Sequence, residues 1–121
     1  MIIMNESNNK TLASNAWLCK SFFENCKGLM FKRISSDDAC VLTNDCRDAL
    51  SASIHMFFVP QDLHIIWVDD DHRVVSVKKC RRATLNPLTW RCYMPDKPAK
   101  YVIEVLNAKG TLKGDKINFI K

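Results

Sequence analysis

Hydrophobic positions are densest between Ser53 and Lys78, and this stretch is the most clearly patterned part of the chain. Five of the six residues in Leu63–Val68 are apolar and two of them are isoleucine, a length and composition that favour a buried strand over a helix. Asp69–His72 then supplies turn-forming side chains, and Val74–Val77 resumes the β-branched pattern. The pattern therefore predicts a β-hairpin at the centre of the fold.

Other parts of the chain carry the short apolar runs that are typical of strands. These runs are Ala39–Thr43, His55–Val59, Tyr101–Leu106 and Lys116–Ile120. Pro60 ends the second run because proline cannot donate a hydrogen bond to a continuing ladder, and Glu104 interrupts the third. The pattern leaves the register of the last run open, and Leu88–Met94 fits either a short strand or an irregular segment.

One amphipathic helix is predicted near the start of the chain, from Asn15 to Lys27. Leu18, Phe22 and Cys26 recur at every fourth position and would form one apolar stripe. Ser14 suits the N-cap, because its hydroxyl can accept a hydrogen bond from the first turn. Gly28 suits the left-handed position that follows a helix, which a residue with a Cβ enters only at a cost.

The chain length of 121 residues is enough for one domain that buries about two thirds of its unfolded surface. Met1–Lys10 is polar enough to be partly loose, although Met1–Met4 could add an edge strand. We therefore expect a single α+β, β-rich domain over residues 1–121. Its predicted architecture is a compact, twisted β-sandwich or partly open barrel, with the N-terminal helix packed on it.

Six blocks of the sequence follow one another in a distinctive order: Gly28–Lys32 (G-L-M-F-K), Ser53–Val59, Leu63–Asp69, Arg73–Val77, Ala99–Leu106 (A-K-Y-V-I-E-V-L) and Gly114–Ile117 (G-D-K-I). In these blocks, which span most of its length, the chain resembles the uncharacterised family called domain of unknown function 192. The resemblance implies a compact, β-rich, single-domain fold and implies no activity. The chain departs from the family pattern at His64, where an Asp is usual, and in a shorter loop at Ala108–Lys113.

No basic leader followed by an apolar segment opens the sequence, so we expect a cytoplasmic protein. No apolar run approaches the roughly 18 residues that span a bilayer, so no membrane partner is expected. Cys19 and Cys26 would lie about 10 Å apart along the predicted helix, too far for a disulfide or for one zinc ion. The pairs Cys40/Cys46 and Cys80/Cys92 could face each other across a turn. In this compartment the simpler expectation is reduced, mostly buried thiols.

Candidate ligand-binding residues come from polar side chains that stand in apolar sequence. His55 and His64 are of this kind, and a buried imidazole needs a hydrogen-bond partner. They could edge an apolar pocket, or they could be core histidines bonded to the backbone. The candidate set is His55, His64, Met30, Met56 and Asp69. His72 with Asp69 or Asp71 could also offer ligands to a divalent ion, but a solvated acidic turn is the simpler interpretation, and we expect no metal or cofactor.

Basic residues cluster at the end of the predicted hairpin, within a chain of net charge +5. The cluster is Lys78, Lys79, Arg81, Arg82 and Arg91, with Trp90 and Tyr93 among its neighbours. Clustered cations near aromatic rings can bind phosphates and stacked bases. The alternative is a solvated strand end whose charges prevent edge-to-edge association. Cys80 lies within this cluster, where cations could stabilise a thiolate, or it is a structural strand-end cysteine.

Three classes of function remain open. The first is a non-enzymatic binding module that takes a small molecule in an apolar pocket edged by histidines. The second is weak binding of nucleic acid, or binding of an acidic partner, through the basic cluster. The third is a cysteine- or metal-dependent enzyme, which ranks last because no phosphate loop, nucleophile elbow or zinc-protease motif occurs. No catalytic residue is assigned.

Overall fold

The structure is a computed structural model that describes residues 1–19, 33–43, 54–55, 61–82, 85–87 and 92–121. Within these residues the chain forms ten β-strands and no α-helix. In chain order the strands are β1 (Ile2–Asn5), β2 (Lys10–Ala13), β3 (Asn15–Cys19), β4 (Asp38–Thr43), β5 (Ile54–His55), β6 (Leu63–Val68), β7 (Val74–Cys80), β8 (Cys92–Tyr93), β9 (Tyr101–Val105) and β10 (Ile117–Ile120). The β-rich class is therefore confirmed.

The larger sheet has five strands in the order β3-β4-β9-β6-β7. β3 runs parallel to β4, and every other neighbouring pair in this sheet is antiparallel. The predicted hairpin is confirmed as β6 and β7, and the strands predicted at Ala39–Thr43, Tyr101–Leu106 and Lys116–Ile120 are confirmed as β4, β9 and β10. β3 and β7 are the edges of the sheet, so it is not a closed barrel.

The hairpin turn is held by the side chain with which it begins. Asp69 Oδ1 accepts hydrogen bonds from the backbone N–H groups of Asp71 and Arg73, both at 2.9 Å. His72 adopts a left-handed φ of 63°, and its own N–H donates to the carbonyl of Asp69 at 3.1 Å. An Asp side chain that bonds to the backbone two residues on is the expected way to reverse a chain here.

The smaller sheet has the order β10-β1-β2, with both pairs antiparallel. The first and last strands of the chain are neighbours, with Ile2 opposite Ile120. β1 is therefore the central strand of this sheet rather than an edge. Ile3 and Asn5 of this strand are fully buried.

The helix predicted from Asn15 to Lys27 is wrong at its start, because Asn15–Cys19 is strand β3. Trp17 lies opposite Cys40 in the parallel pair with β4, so backbone pairing with a neighbouring strand overrides the local helical pattern. Ser14 is not an N-cap, since its N–H donates to the carbonyl of Asp37 at 3.1 Å.

Several predicted features lie outside the described residues. They are the later part of the predicted helix, the Gly28 cap, Met30, Met56 and Arg91. The separation calculated between Cys19 and Cys26 assumed a helix and no longer applies, because Cys19 belongs to β3. Cys40 and Cys80 are buried thiols.

Both faces of the larger sheet are buried. We call the face that packs on the smaller sheet the inner face, because Ile66 and Val68 of β6 join Ile3, Leu12 and Ile117 there in one apolar cluster. The opposite, distal face carries Leu63, Ile65 and Trp67 of the same strand in a second cluster. Side chains alternate between the faces with the period of two that a strand imposes. No helix among the described residues is long and apolar enough to cross a membrane.

Candidate functional site

Glu104 lies at the centre of the distal face. Along β9, Ile103 and Val105 belong to the inner cluster, so alternation places Val102 and Glu104 on the distal side. The strand register puts Glu104 directly opposite Cys40 on β4 and Ile65 on β6. Continuing this register across the sheet gives one row of five residues: Trp17, Cys40, Glu104, Ile65 and Lys78.

One oxygen of the Glu104 carboxyl group, Oε2, is buried with no compensating partner among the described residues. The residue is 4% exposed, and within the described part of the chain its Oε2 atom has no hydrogen-bond partner. Burial raises the pKa of Glu104 to about 7, from an ordinary value of 4.5. An unsatisfied buried polar group costs about 1–3 kcal/mol, so this acid weakens the fold unless something outside these contacts binds it.

The surroundings of Glu104 on the distal face are mostly apolar. Leu42, Ile65, Trp67 and Val102 belong to the same buried cluster, and Trp17 packs against it while partly exposed. Cross-strand neighbours on one face have Cβ atoms about 5 Å apart, which brings the fully buried Cys40 and Ile65 into direct contact range of Glu104. The Glu104 carboxyl group is therefore a polar group surrounded mainly by apolar side chains.

Lys78 ends the row, two strands away from Glu104. Its Nζ atom lies 3.5 Å from Asp96 Oδ1, donates to the carbonyl of Met94, and lies 6.0 Å from the ring centroid of Trp67. Two strand spacings correspond to about 10 Å, so Lys78 does not neutralise Glu104. The Lys78 ammonium is instead neutralised by the Asp96 carboxylate.

The backbone of His55 belongs to the short ribbon of β5 and β8. Ile54 lies opposite Tyr93 and His55 opposite Cys92. Tyr93 packs against the distal cluster, and its hydroxyl accepts a hydrogen bond from the backbone N–H of Arg81 at 3.1 Å. The backbone of His55 is therefore placed one residue pair away from a ring of the distal cluster.

His64 belongs to the other side of the sheet. It lies between Lys79 and Val105 in the register, with the parity of Ile66 on the inner face. Its Nδ1 atom is 2.9 Å from the carbonyl oxygen of Leu106. Because a carbonyl can only accept, Nδ1 carries the proton in this contact. The structure thus does not bring His64 together with Glu104.

Asp69 lies at the hairpin turn, away from the distal row. It lines a surface cleft of about 300 Å³ together with Asp70, Asp71, Pro98, Ala99 and Lys100. Its Oδ1 atom is already used by two backbone N–H groups of the turn. Among the described residues, no three His, Cys, Asp or Glu side chains come close enough to hold a metal ion.

The predicted basic cluster is divided between the two faces. Lys78 lies opposite Ile65 and Lys79 opposite His64, so the two lysines project to opposite sides of β7. Arg81 and Arg82 are exposed. Cys80, between Lys79 and Arg81, is fully buried and its thiol donates to the carbonyl of Lys78 at 3.8 Å, which favours a structural role for this residue.

Sequence reasoning assigned no function to Glu104, because a lone carboxylate in an apolar run reads as a break in the strand. A usable signal was present. A strand with apolar residues at both parities is covered on both faces, so any polar residue within it must also be buried. Tyr101–Leu106 has this composition, and the burial of Glu104 follows from it.

In the part of the chain that the structure describes, the fold and site define a class of protein: a β-rich domain with two main sheets and a buried acid, whose Oε2 atom has no described partner, on the distal face of the larger sheet. The model of the family domain of unknown function 192, described as "Uncharacterized ACR", matches residues 3–119. The chain belongs to this family.

Two archaeal relatives are similar along the sequence. UPF0127 protein PH1112 of Pyrococcus horikoshii is 35% identical over 122 residues, covering 98% of each chain. A UPF0127 protein of Thermococcus gammatolerans is 35% identical over 103 residues, covering 85% of this chain and 62% of the relative. The chain thus spans less than two thirds of the length of the Thermococcus relative.

Two solved structures share the fold. A protein of unknown function from Novosphingobium aromaticivorans has a TM-score of 0.78 at 20% identity, covering 98% of this chain and 82% of that one. A Sinorhizobium meliloti protein, described only provisionally as a transcription regulator, has a TM-score of 0.70 at 15% identity, covering 97% and 89%. At these identities the similarity shows the fold alone.

Proposed function

We propose that the chain is a non-enzymatic binding domain that takes a small, largely apolar ligand against the distal face of its larger sheet. The observation that carries the proposal is the Oε2 atom of Glu104, which is buried and has no partner among the described residues. Small-molecule sites are mostly apolar walls with a few polar groups that fix orientation. Glu104, with Ile65, Trp67 and Val102 around it, has this composition.

The surroundings of Glu104 favour binding over catalysis. Cys40 is its one titratable neighbour on the two directly paired strands, as far as the structure describes them. A carboxylate beside a thiol disfavours the thiolate, which is the form that attacks as a nucleophile. General acid–base chemistry usually needs a second positioned group, and apart from the Cys40 thiol the described row offers no titratable group within contact range of Glu104.

Three residues that the sequence suggested as ligand contacts, His55, Met30 and Met56, remain candidates for the proposed site. His55 belongs to the ribbon whose Tyr93 packs against the distal cluster. Met30 and Met56 remain predictions from the sequence. His64, bonded to Leu106, and Asp69, bonded within its turn, are assigned to the framework instead.

Isoleucine methyl groups report directly on which face a ligand contacts. Ile34 and Ile65 lie in the distal cluster, whereas Ile3, Ile66, Ile103 and Ile117 lie in the inner cluster. We expect neutral apolar probes, 1-hexanol and 2-phenylethanol, to shift the δ1-methyl NMR signals of the distal pair and leave the inner four in place. Shifts confined to the inner group, or absent from both groups, would contradict the proposal.

A matched pair of variants sharpens this test. Ile65 and Ile66 are adjacent on β6 and both fully buried, but they face opposite sides of the sheet. Ile65→Val and Ile66→Val should destabilise the fold by similar amounts, about 1 kcal/mol each. Only Ile65→Val should change the affinity for the probes. Native mass spectrometry of freshly purified protein would in addition reveal a ligand retained from the cell.

A second candidate function is binding of nucleic acid or of an acidic partner. The observation in its favour is that Lys79, Arg81 and Arg82 are exposed at the end of β7. The pairing of Lys78 with Asp96 weakens this surface, because a cation already neutralised gains less from a phosphate. The salt dependence of oligonucleotide binding tests it.

A further inference from the structure

The chemistry around Glu104 restricts the class of ligand that the distal face can take. We infer that the ligand is a small hydrophobic amine whose ammonium group binds the Glu104 carboxylate while its hydrocarbon part packs at the edge of the distal face, where Trp17 and Tyr93 are partly exposed. This inference rests on the proposed function. Its first support is the geometry: an acid at the centre of a buried apolar row, with Oε2 left without a partner in the described part of the chain.

No cation of the described chain compensates Glu104. The titratable groups described on its face are the Cys40 thiol directly opposite on β4, the Lys78 ammonium and the Cys80 thiol on β7, and the Tyr93 hydroxyl beside the distal cluster. Lys78 already pairs with Asp96 and donates to Met94. A buried charge is tolerated when it is paired and hydrogen-bonded. A positively charged ligand would supply the opposite charge that the described residues do not offer to Glu104.

Aromatic rings on the same face also favour a cation. Trp67 lies opposite Val102, two residues before Glu104 on β9, and its ring already has the Lys78 ammonium at 6.0 Å. Trp17 lies in the row of Glu104 itself, beyond Cys40. The negative face of an indole ring attracts ammonium groups, and a carboxylate among such rings selects cations over neutral or anionic ligands.

An amine is distinguished from an alcohol or amide by proton linkage. Any donor could form one hydrogen bond with Glu104, but a charge-assisted bond is roughly twice as strong as a neutral one. An ammonium also requires the carboxyl to be ionised. Since burial raises the pKa of Glu104 to about 7, amine binding below that pH must release the carboxyl proton. Affinity for an amine should therefore rise about tenfold from pH 6 to pH 8, whereas affinity for an alcohol should not rise.

The experiment compares hexylamine, 1-hexanol and hexanoate, which share one chain length and differ in the polar end. Dissociation constants are measured by calorimetry and methyl NMR on the full chain at pH 6 and pH 8, with Glu104→Gln as the variant. We expect hexylamine to bind at least tenfold more tightly than 1-hexanol at pH 8, and hexanoate to bind most weakly. In Glu104→Gln the preference for the amine and the rise with pH should both vanish while 1-hexanol still binds.

The outcomes separate this inference from the proposed function. If 1-hexanol shifts the Ile65 methyl signal as strongly as hexylamine and with equal affinity, the binding function holds and the amine inference is overturned. Equal affinity of hexylamine for the wild-type chain and for Glu104→Gln would also overturn it. If no probe shifts the Ile34 and Ile65 signals, the proposed function fails as well. The pH dependence in the wild-type chain needs no variant, so the test survives if Glu104→Gln does not fold.

Discussion

A single carboxyl group links the stability of this fold to pH. Below about pH 4.5 Glu104 is protonated in both the folded and the unfolded chain, because its pKa is about 7 when folded and 4.5 ordinarily. Between these values the unfolded chain ionises while the folded chain keeps its proton. The contribution of Glu104 to the free energy of unfolding is therefore fully present below pH 4.5 and is lost as the pH rises through 7. The difference of about 2.5 pKa values corresponds to a loss of roughly 3 kcal/mol.

This pH dependence is the first prediction, and urea unfolding at pH 5 and pH 8 measures it. Glu104→Gln removes the titrating group and should flatten the dependence over this interval. Glu6→Gln, an exposed glutamate in the turn after β1, is the matched control and should leave it unchanged. Equal slopes for Glu104→Gln and the wild-type chain would show that Glu104 does not titrate as inferred.

Asn5 is the polar counterpart of Glu104, since it is fully buried but well partnered. Its Nδ2 atom donates to Thr111 Oγ1 at 3.1 Å and to Asp115 Oδ2 at 2.9 Å, and its Oδ1 atom accepts from the backbone N–H of Ser7 at 2.9 Å. Two of these partners lie more than 100 residues away along the chain. No local pattern could therefore have predicted this network.

Replacing Asn5 should destabilise the fold strongly. Asn5→Leu removes a hydrogen-bond partner of Thr111, of Asp115 and of the Ser7 N–H, so we expect a loss of about 2–4 kcal/mol. Asn15→Ala is the control, because Asn15 is exposed and, among the described side chains, bonds Asp38 alone, at 2.9 Å. Its loss should stay below about 1 kcal/mol. Chemical denaturation of both variants measures the difference, and similar losses would show that the buried network adds little.

At the scale of elements, strands whose pattern is complete within a few residues were predictable. β6 and β7 combine apolar runs with an Asp-rich turn, so short-range information fixes both strands and their reversal. β3 was mistaken for a helix because Asn15–Cys19 is too short to separate a period of two from a period of 3.6. What decides its conformation is the backbone of β4 beside it, which lies about 20 residues further along the chain.

The hairpin turn allows a prediction at this scale. Asp69→Ala removes the acceptor for the N–H groups of Asp71 and Arg73 and should destabilise the fold by about 1–2 kcal/mol. Asp71→Ala is the matched control, because this exposed neighbour enters the turn through its backbone atoms. Thermal melts at pH 7 compare the two variants. A loss for Asp71→Ala equal to that for Asp69→Ala would mean that net charge, rather than the turn bond, matters.

For the whole molecule, the class of fold was predictable and the arrangement of its sheets was not. β1 and β10 pair across nearly the full length of the chain, and the four strands around Glu104 and Lys78 are not consecutive. Glu104 becomes a candidate site only when this order places it between β4 and β6. The sequence suggested an apolar site edged by histidines. The strand order instead places Glu104 on the distal face and His64 on the inner face.

The six cysteines allow a prediction for the molecule as a whole. Cys40 and Cys80 are buried thiols within the sheet, where they act as small apolar side chains. We expect the protein to fold with reduced thiols, so that thermal melts with and without a reductant coincide. A structural disulfide typically contributes about 2–4 kcal/mol, enough to separate the two curves clearly. A large loss of stability on reduction would contradict the expectation.

Binding of nucleic acid is the last prediction, and the geometry of β7 limits it. Lys78 points to the distal face and pairs with Asp96, which leaves Lys79, Arg81 and Arg82 as the exposed cations described at this strand end. Three phosphate contacts would give a log–log salt slope of about −2 on single strands, from roughly 0.7 per contact. We expect weak, nonspecific binding at low salt that disappears near physiological ionic strength.

Fluorescence anisotropy with a labelled single-stranded oligonucleotide, titrated at several salt concentrations, measures this slope. Charge reversal in Lys79→Glu with Arg82→Glu should abolish the residual binding. The control is Lys10→Glu with Lys121→Glu, which changes the net charge equally at exposed positions in and beside the smaller sheet. Because counterion release follows local contacts, only the first pair should reduce the slope. Micromolar binding that persists at physiological salt and is lost only in the first pair would place nucleic-acid recognition ahead of the ligand site at Glu104.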